Sequence, residues 1–267
     1  MPIARAVLYA ATAAVVVLAL RSVLFAPPPL AWSLGVLLAY LALLLSGVFV
    51  LRWRVFADAV IRGPKDARGV ALTFDDGPDP VWTPRVLDLL DASSSKATFF
   101  LIGRKAEVHA DVVREIIRRG HAIGVHSYEH DRLFSLRTER RVRADLERAL
   151  ATLEKITGKR PALFRPPIGH TNPTIARVAD ALDLVVVGWS VSGRDGTARA
   201  RPDAVLARVR TGMQDGAIVL LHDAAERGTH EPAGARALPE ILRAIHAANL
   251  EVVPLSAWLD QPDGSSM

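Results

Sequence analysis

Residues 70–80 read VALTFDDGPDP. The run from Val70 to Phe74 is apolar or β-branched and stops at a Gly77-Pro78 pair, as a short buried strand stops at a turn. At its end stand two adjacent carboxylates, Asp75 and Asp76, with Asp79 beyond the turn. Side-by-side like charges repel, so one of the pair resists ionisation unless another charge compensates. A buried strand that ends in paired acids asks for a cation.

Outward from this stretch, short β-rich runs recur at 98–102, 122–125, 162–164, 184–187, 217–221 and 251–254. Helix-like stretches lie between them, at 83–91, 105–119, 136–157, 173–182, 203–212 and 235–248. In 112–119, VVREIIRR, apolar and charged pairs alternate at helical spacing. This α/β alternation predicts a parallel sheet with right-handed crossovers. Seven strand candidates without a dinucleotide-binding glycine fingerprint point to a (β/α) barrel slightly short of eight strands. Polar residues fall at five strand ends: Asp75 and Asp76, then His126, Arg165, Trp189 and His222. In a β/α barrel these ends meet at one face, where active sites form.

Ahead of this domain the composition changes. Residues 31–51, AWSLGVLLAYLALLLSGVFVL, run 21 residues without a charge, enough to cross about 30 Å of hydrocarbon as a helix. Residues 6–20, AVLYAATAAVVVLAL, are also apolar, and extension through SVLF reaches a span's length if Arg21 snorkels to the interface. APPPL at 26–30 breaks the helix between them. The expected organisation is a transmembrane helical hairpin over 1–54 (helices at about 4–25 and 31–51), then a linker over 55–68. The barrel domain follows over 69–260, with a loose tail over 261–267. A secretory signal peptide is the alternative for the first segment, but the second apolar segment follows at once, with no clear small-x-small cleavage site between them. Arg5 precedes the first segment and Arg52, Arg54, Arg62, Lys65 and Arg68 follow the second, against Arg21 alone in the turn. The positive-inside bias then predicts a multi-pass inner-membrane protein whose main domain faces the cytoplasm.

Lys and Arg number 33 against 28 Asp and Glu, a net charge of +5 spread along helices, which gives a nucleic-acid partner no support. There is no cysteine, so disulfides and thiolate metal sites are excluded, and any transition metal must be held by His and carboxylate.

HSYEH at 126–130 sets two imidazoles four apart, predicted here on one face of a helical turn. Two histidines and a carboxylate make an open site for a divalent cation. The plainer reading is a pair of histidines bonding at a helix start, and the acids at the neighbouring strand end weigh against it. His109, His121, His230 and His246 lack such company. With Asp76 on the cation, its charge is neutralised and Asp75 can stay an ionised base. Arg165, stiffened by Pro166 and Pro167, can hold a carboxylate in a fixed orientation. His222 ends the apolar run IVLLH as a candidate general acid.

In this order, TFDDGP, HSYEH, RPPIG, the Trp189 segment and LLHD resemble the five motifs of the polysaccharide deacetylase family, also called NodB-homology or carbohydrate esterase family 4. The resemblance covers roughly residues 69–258 and implies a deformed (β/α)7 barrel that removes an acetyl group from an N-acetylated sugar with a divalent metal, zinc or a similar ion. It implies Asp75 as general base, Asp76, His126 and His130 as metal ligands, Arg165 as the group orienting Asp75, and His222 as the acid. It further implies the Ile168 N–H at the oxyanion, and Trp189 and Leu220 around the acetyl group.

The chain departs from the pattern at three places. Ile168 replaces a common Tyr, and Asp131 replaces the usual Pro after the second His. The fourth motif, commonly W-D-V-D-x-x-D-W, reads WSVSGRDG at 189–196: Ser190 and Ser192 replace two acids, and Gly196 replaces the last Trp. In the family the acid at position 192 tunes the catalytic histidine, which leaves Asp195 as the candidate to substitute. The expected substrate is a membrane- or lipid-linked glycoconjugate. A deformylase or other amide hydrolase on a lipid-linked sugar stays open, as do a catalytically silent sugar-binding member and a membrane scaffold.

Overall fold

The computed structural model describes residues 1–259; the expected tail over 261–267 lies outside them. Two long helices, α1 (Ile3–Leu24) and α2 (Leu30–Phe49), are joined by the proline turn and form a hairpin pinned by a Thr12–Tyr40 hydroxyl bond of 2.9 Å. Both are long and apolar enough to cross a membrane, and only 6% of each apolar window is buried against protein. They are therefore not core helices of the barrel.

The domain then alternates β1 (Val70–Asp75), α3 (Trp82–Ala92), β2 (Thr98–Leu101), α4 (Gly103–Val108), α5 (Ala110–Arg118) and β3 (Ala122–Val125). There follow α6 (Glu139–Thr157), β4 (Leu163–Phe164), α7 (Pro173–Ala181), β5 (Val185–Val186) and β6 (Val191–Ser192). The last elements are α8 (Pro202–Gly212), β7 (Ala217–His222), α9 (Ala233–Ala247) and α10 (Ser256–Leu259). The seven strands form one parallel sheet in the order β5-β4-β3-β2-β1-β7-β6, curled into the open (β/α)7 half-barrel that the motifs imply. Helices pack their apolar stripes on it: α6 buries Val142, Leu146, Leu150 and Leu153 at three- and four-residue spacing. It stops at Gly158, whose φ of 72° is the left-handed cap that glycine adopts without strain. Phe74 and Phe99 stack inside at 5.1 Å between ring centroids, and no part of either ring reaches solvent.

The seven strands are not the seven expected. Glu251–Pro254 supplies only an isolated bridge, Val70 to Val252, whereas the Val191–Ser192 pair forms β6 beside β7. Residues 55–68, expected as a linker, line the open edge of the barrel: Val55, Ala57 and Ala59 are buried, and Val60 pairs in parallel with Val187 just after β5. The hairpin base is tied to the same edge. Arg5 donates to the Val55 carbonyl at 2.8 Å and to the Asp58 carboxylate at 3.0 Å. Thr171 N–H donates to the Val48 carbonyl at 3.1 Å, and Phe49 meets His170 edge-on. α2 thus touches the loop that follows β4.

Candidate active site

β1 lies between β2 and β7, so its C-terminal end opens at the middle of the curled sheet. The parallel register sets Asp75 directly across from His222 on β7. Both Asp75 and Asp76 are buried, 3% exposed. They diverge because Asp76 takes a positive φ of 73°, which swings its side chain away from the line of the strand.

Arg165 follows β4 and is wholly buried. Its guanidinium donates to Asp75 Oδ1 at 2.7 Å, to Thr73 Oγ1 at 2.9 Å and to the Gly188 carbonyl at 2.9 Å, over the face of Phe100. Burial pushes the Asp75 carboxyl above its ordinary range, and the Arg165 charge opposes that push. Asp75 is thus a buried carboxyl, raised in pKa by desolvation and held in place by Arg165.

On the other side, His126 Nδ1 is 2.8 Å from the Arg165 carbonyl. A backbone carbonyl can only accept, so Nδ1 carries the proton and the Nε2 lone pair faces the acids. His126 Nε2 and His130 Nε2 lie 3.6 and 3.3 Å from Asp76 Oδ1. Burial first, and the neighbouring His130 second, hold the His126 pKa down to about 3, so its imidazole is neutral near pH 7. The HSYEH segment is not the expected helical turn. Ser127 and His130 both take positive φ, 63° and 53°, and a loop closed by His130 N–H to Ser127 Oγ brings the rings together at 4.8 Å.

Asp76, His126 and His130 offer three ligand atoms within 4.8 Å of one another. Asp76 Oδ1 is buried and has no hydrogen-bond partner, although an unpaired buried carboxylate oxygen is costly. A divalent cation fits this donor set: two imidazoles and one carboxylate whose orphaned oxygen lies 3.6 and 3.3 Å from their Nε2 atoms.

His222 completes the ring. Its Nδ1 is 2.9 Å from Asp195 Oδ1, and its backbone N–H donates to Asp195 Oδ2 at 2.8 Å. Burial would drive its proton off, but the Asp195 charge and hydrogen bond, with Asp76 and Asp75 behind them, outweigh it and push His222 up to about 10. Ser192 does not reach the histidine; its Oγ accepts from the Arg194 amide at 3.2 Å.

Ile168 takes φ 50°, a left-handed conformation that a β-branched residue adopts only when its surroundings impose it. The amide hydrogen bonds of that turn come from Gly169 and His170, not from Ile168. Trp189 packs against Gly169, with its ring 5.7 Å from the Arg165 guanidinium. Leu220 is buried on β7, two residues before His222. Asp79 caps α3 through the Val81 and Trp82 amides and stays out of the site.

Comparison with known proteins decides the family. The polysaccharide deacetylase family model matches residues 62–187. A Bacillus cereus peptidoglycan-N-acetylglucosamine deacetylase is 36% identical over 182 residues, 67% of this chain and 84% of that protein. The chain belongs to the polysaccharide deacetylase family. An Azorhizobium caulinodans chitooligosaccharide deacetylase is 37% identical over 155 residues, 58% of this chain and 73% of its own. The crystal structure of the Bc1960 peptidoglycan N-acetylglucosamine deacetylase superposes with a TM-score of 0.70 at 31% identity, over 78% of this chain and 95% of that one. Membership in the polysaccharide deacetylases makes the chain a hydrolase of N-acetylated sugars, with an Asp-His-His cluster able to hold a metal.

Three groups around this deacetylase site escaped the sequence reading. Lys105 Nζ donates to the Asp76 and Ala225 carbonyls at 2.7 Å each, bracing the Asp76 loop. Asp223 sits behind Gly77, accepts from Thr83 at 2.5 Å, and is pushed by burial up to about 7. Glu226 approaches His130 Nδ1 at 3.5 Å while paired with Arg132. Asp223 could have been found as the acid next to His222; Lys105 and Glu226 carry no local signal.

Proposed function

We propose that this chain is a zinc-type, metal-dependent N-deacetylase acting on an N-acetylated sugar carried by a membrane lipid. The observation that carries the reading is the facing of two separately held titratable groups across one register position: Asp75, a buried carboxylate bonded to Arg165, and His222, kept protonated by Asp195. A carboxylate and a protonated imidazole within one small site can serve as base and acid.

Asp75 takes the proton of the attacking water, and Arg165 keeps it from turning away. Asp76, His126 and His130 hold the divalent ion, which when bound supplies Lewis acidity to the amide carbonyl and to water. The free Ile168 N–H donates to the oxygen that gains charge, the left-handed backbone aiming it there. His222, fixed by Asp195, delivers its proton to the departing amine nitrogen. Trp189 and Leu220 wall the acetyl group and keep bulk water out. Acetate and a free amino sugar leave.

The hairpin supports a membrane setting: its apolar surface is nearly all exposed, and lipid is the medium in which such a surface is stable. The basic residues at its domain end, Arg52, Arg54, Arg62, Lys65 and Arg68 against Arg21 at the turn, favour the cytoplasmic face. A second reading has the domain outside, on peptidoglycan, which the names of the relatives favour. Protease protection in spheroplasts separates the two, and cleavage of the barrel from outside would reverse the orientation.

The test of the activity is acetate released by the full-length protein in detergent from chitooligosaccharides and from lipid extracts, beside Asp75→Asn. The variant should lose about 10²–10⁴ in rate. Equal rates would remove Asp75 as the base, and formate in place of acetate would change the acyl group.

A further inference from the structure

A cavity of about 730 Å³ lies between the end of α2 and the edge strand β6, and of its lining the chemistry above uses only Trp189. Its wall carries Arg52, Arg194 and Arg208, the Trp189 indole and the hydroxyls of Ser190 and Ser192, and among the described residues it contains no carboxylate. Three like charges around one cavity repel unless an anion joins them. Arg208 gives one bond to the Gly193 carbonyl at 3.0 Å, leaving most of its five donors free. Ser190 and Ser192 stand where the family pattern has acids. A carboxylate at either position would neutralise an arginine and repel an anion; Ser190 Oγ instead bonds the Ile218 backbone, and the Ser192 hydroxyl keeps its proton to donate to one.

Two features say where that anion comes from. Arg52 is the third residue beyond Phe49, the end of α2, so with α2 in the bilayer the cavity opens at headgroup level. The wall also runs into the reaction centre. Trp189 flanks Arg165, which holds Asp75, and Arg194 adjoins Asp195, which holds His222.

We propose that this cavity is a phosphate subsite, holding the phosphate or diphosphate that joins an N-acetylated sugar to its membrane lipid while the sugar extends past Trp189 to Asp75. Guanidinium suits this ligand because its planar donors match phosphate oxygens two at a time. The assignment rests on the deacetylase reading and deepens it by naming the linkage of the substrate. An anionic phospholipid headgroup offers the same phosphate chemistry, and the test separates the two sources.

Full-length protein in detergent is given N-acetylglucosamine linked by diphosphate to a short polyprenol, or neutral chitotetraose, with and without phosphatidylglycerol. Arg52→Gln/Arg208→Gln should raise KM for the diphosphate substrate by about tenfold or more, the loss of charge-assisted bonds. Its kcat on that substrate and its turnover of chitotetraose should stay near wild type, which also shows that the variant is folded. Equal effects on both substrates, or on neither, would overturn the subsite and leave the deacetylase standing. Competition by phosphatidylglycerol with no preference for the diphosphate substrate would reassign the cavity to headgroup docking. If wild type turns over neither substrate, the deacetylase reading fails, and binding of farnesyl diphosphate still decides the subsite. Binding weakened about tenfold by the double substitution supports it, and equal or absent binding to both proteins rejects it.

Discussion

Replacing Arg165 by Met tests the electrostatic frame of the site. Methionine keeps an apolar stem over Phe100 but removes the donor 2.7 Å from Asp75, where the two side chains are 0% and 5% exposed. Breaking a buried pair by deleting one partner leaves the other charge uncompensated, at a cost of about 3–5 kcal/mol. At roughly 2–4 °C per kcal/mol for a domain of this size, the melting temperature should fall by about 6–20 °C. The sign of the pH dependence follows from Asp75. Burial already raises its folded pKa, and without Arg165 the largest charge opposing that is gone. Below the unfolded value of about 4 the acid is neutral in both states, so this penalty is absent; it grows as pH rises toward the folded pKa. The gap between wild type and Arg165→Met should therefore be wider at pH 8 than at pH 4. Adding Asp75→Asn should return much of the lost stability, because no buried charge is then left alone. Thermal unfolding of the four proteins across that pH range makes the cycle. If the double variant falls by the sum of the single losses, with no pH dependence, charge pairing is not what holds Arg165.

Metal removal should abolish acetate release, and zinc should restore it. Asp76→Ala should lower bound metal, measured by elemental analysis, from about one ion per chain to a small fraction. In Asp195→Asn the charge that lifts His222 is gone, so the basic limb of the pH–rate profile should move down by about 1–3 units, the range for losing a carboxylate partner; an unmoved limb would detach Asp195 from the acid. Gly77→Ala presses a methyl into the Asp223 carboxylate, which Thr83 pins at 2.5 Å. Overpacking there should cost about 1–3 kcal/mol and weaken metal retention, read by unfolding and by metal content; an unchanged variant would mean that the Asp76 loop is free to shift.

How far the sequence could be read depended on how far apart the cooperating residues stand. β1, β2, β3 and β7 carry apolar runs, so their ends, and with them Asp75, Asp76, His126 and His222, were legible. β6 was not, because Val191-Ser192 is two residues long and becomes a strand only by pairing with Val219 and Leu220. The Glu251–Pro254 run failed in the opposite way: its β-forming residues find a single bridge, to Val70. Local backbone reversal was equally hidden. HSYEH has helical spacing, yet positive φ at Ser127 and His130 folds it into a loop, and sequence spacing does not report φ. The fourth motif shows why substitution patterns alone mislead. Two lost acids at 190 and 192 read as a weakened acid, but the fold delivers Asp195 to both His222 Nδ1 and its amide, so the function of the lost carboxylate has a holder. Once Asp195 does that work, Ser190 and Ser192 need no charge, and the wall they line can turn cationic. Supplying the carboxylate from position 195 leaves a wall of hydroxyls and arginines next to α2, while Asp75 and His222 stay in register across β1 and β7.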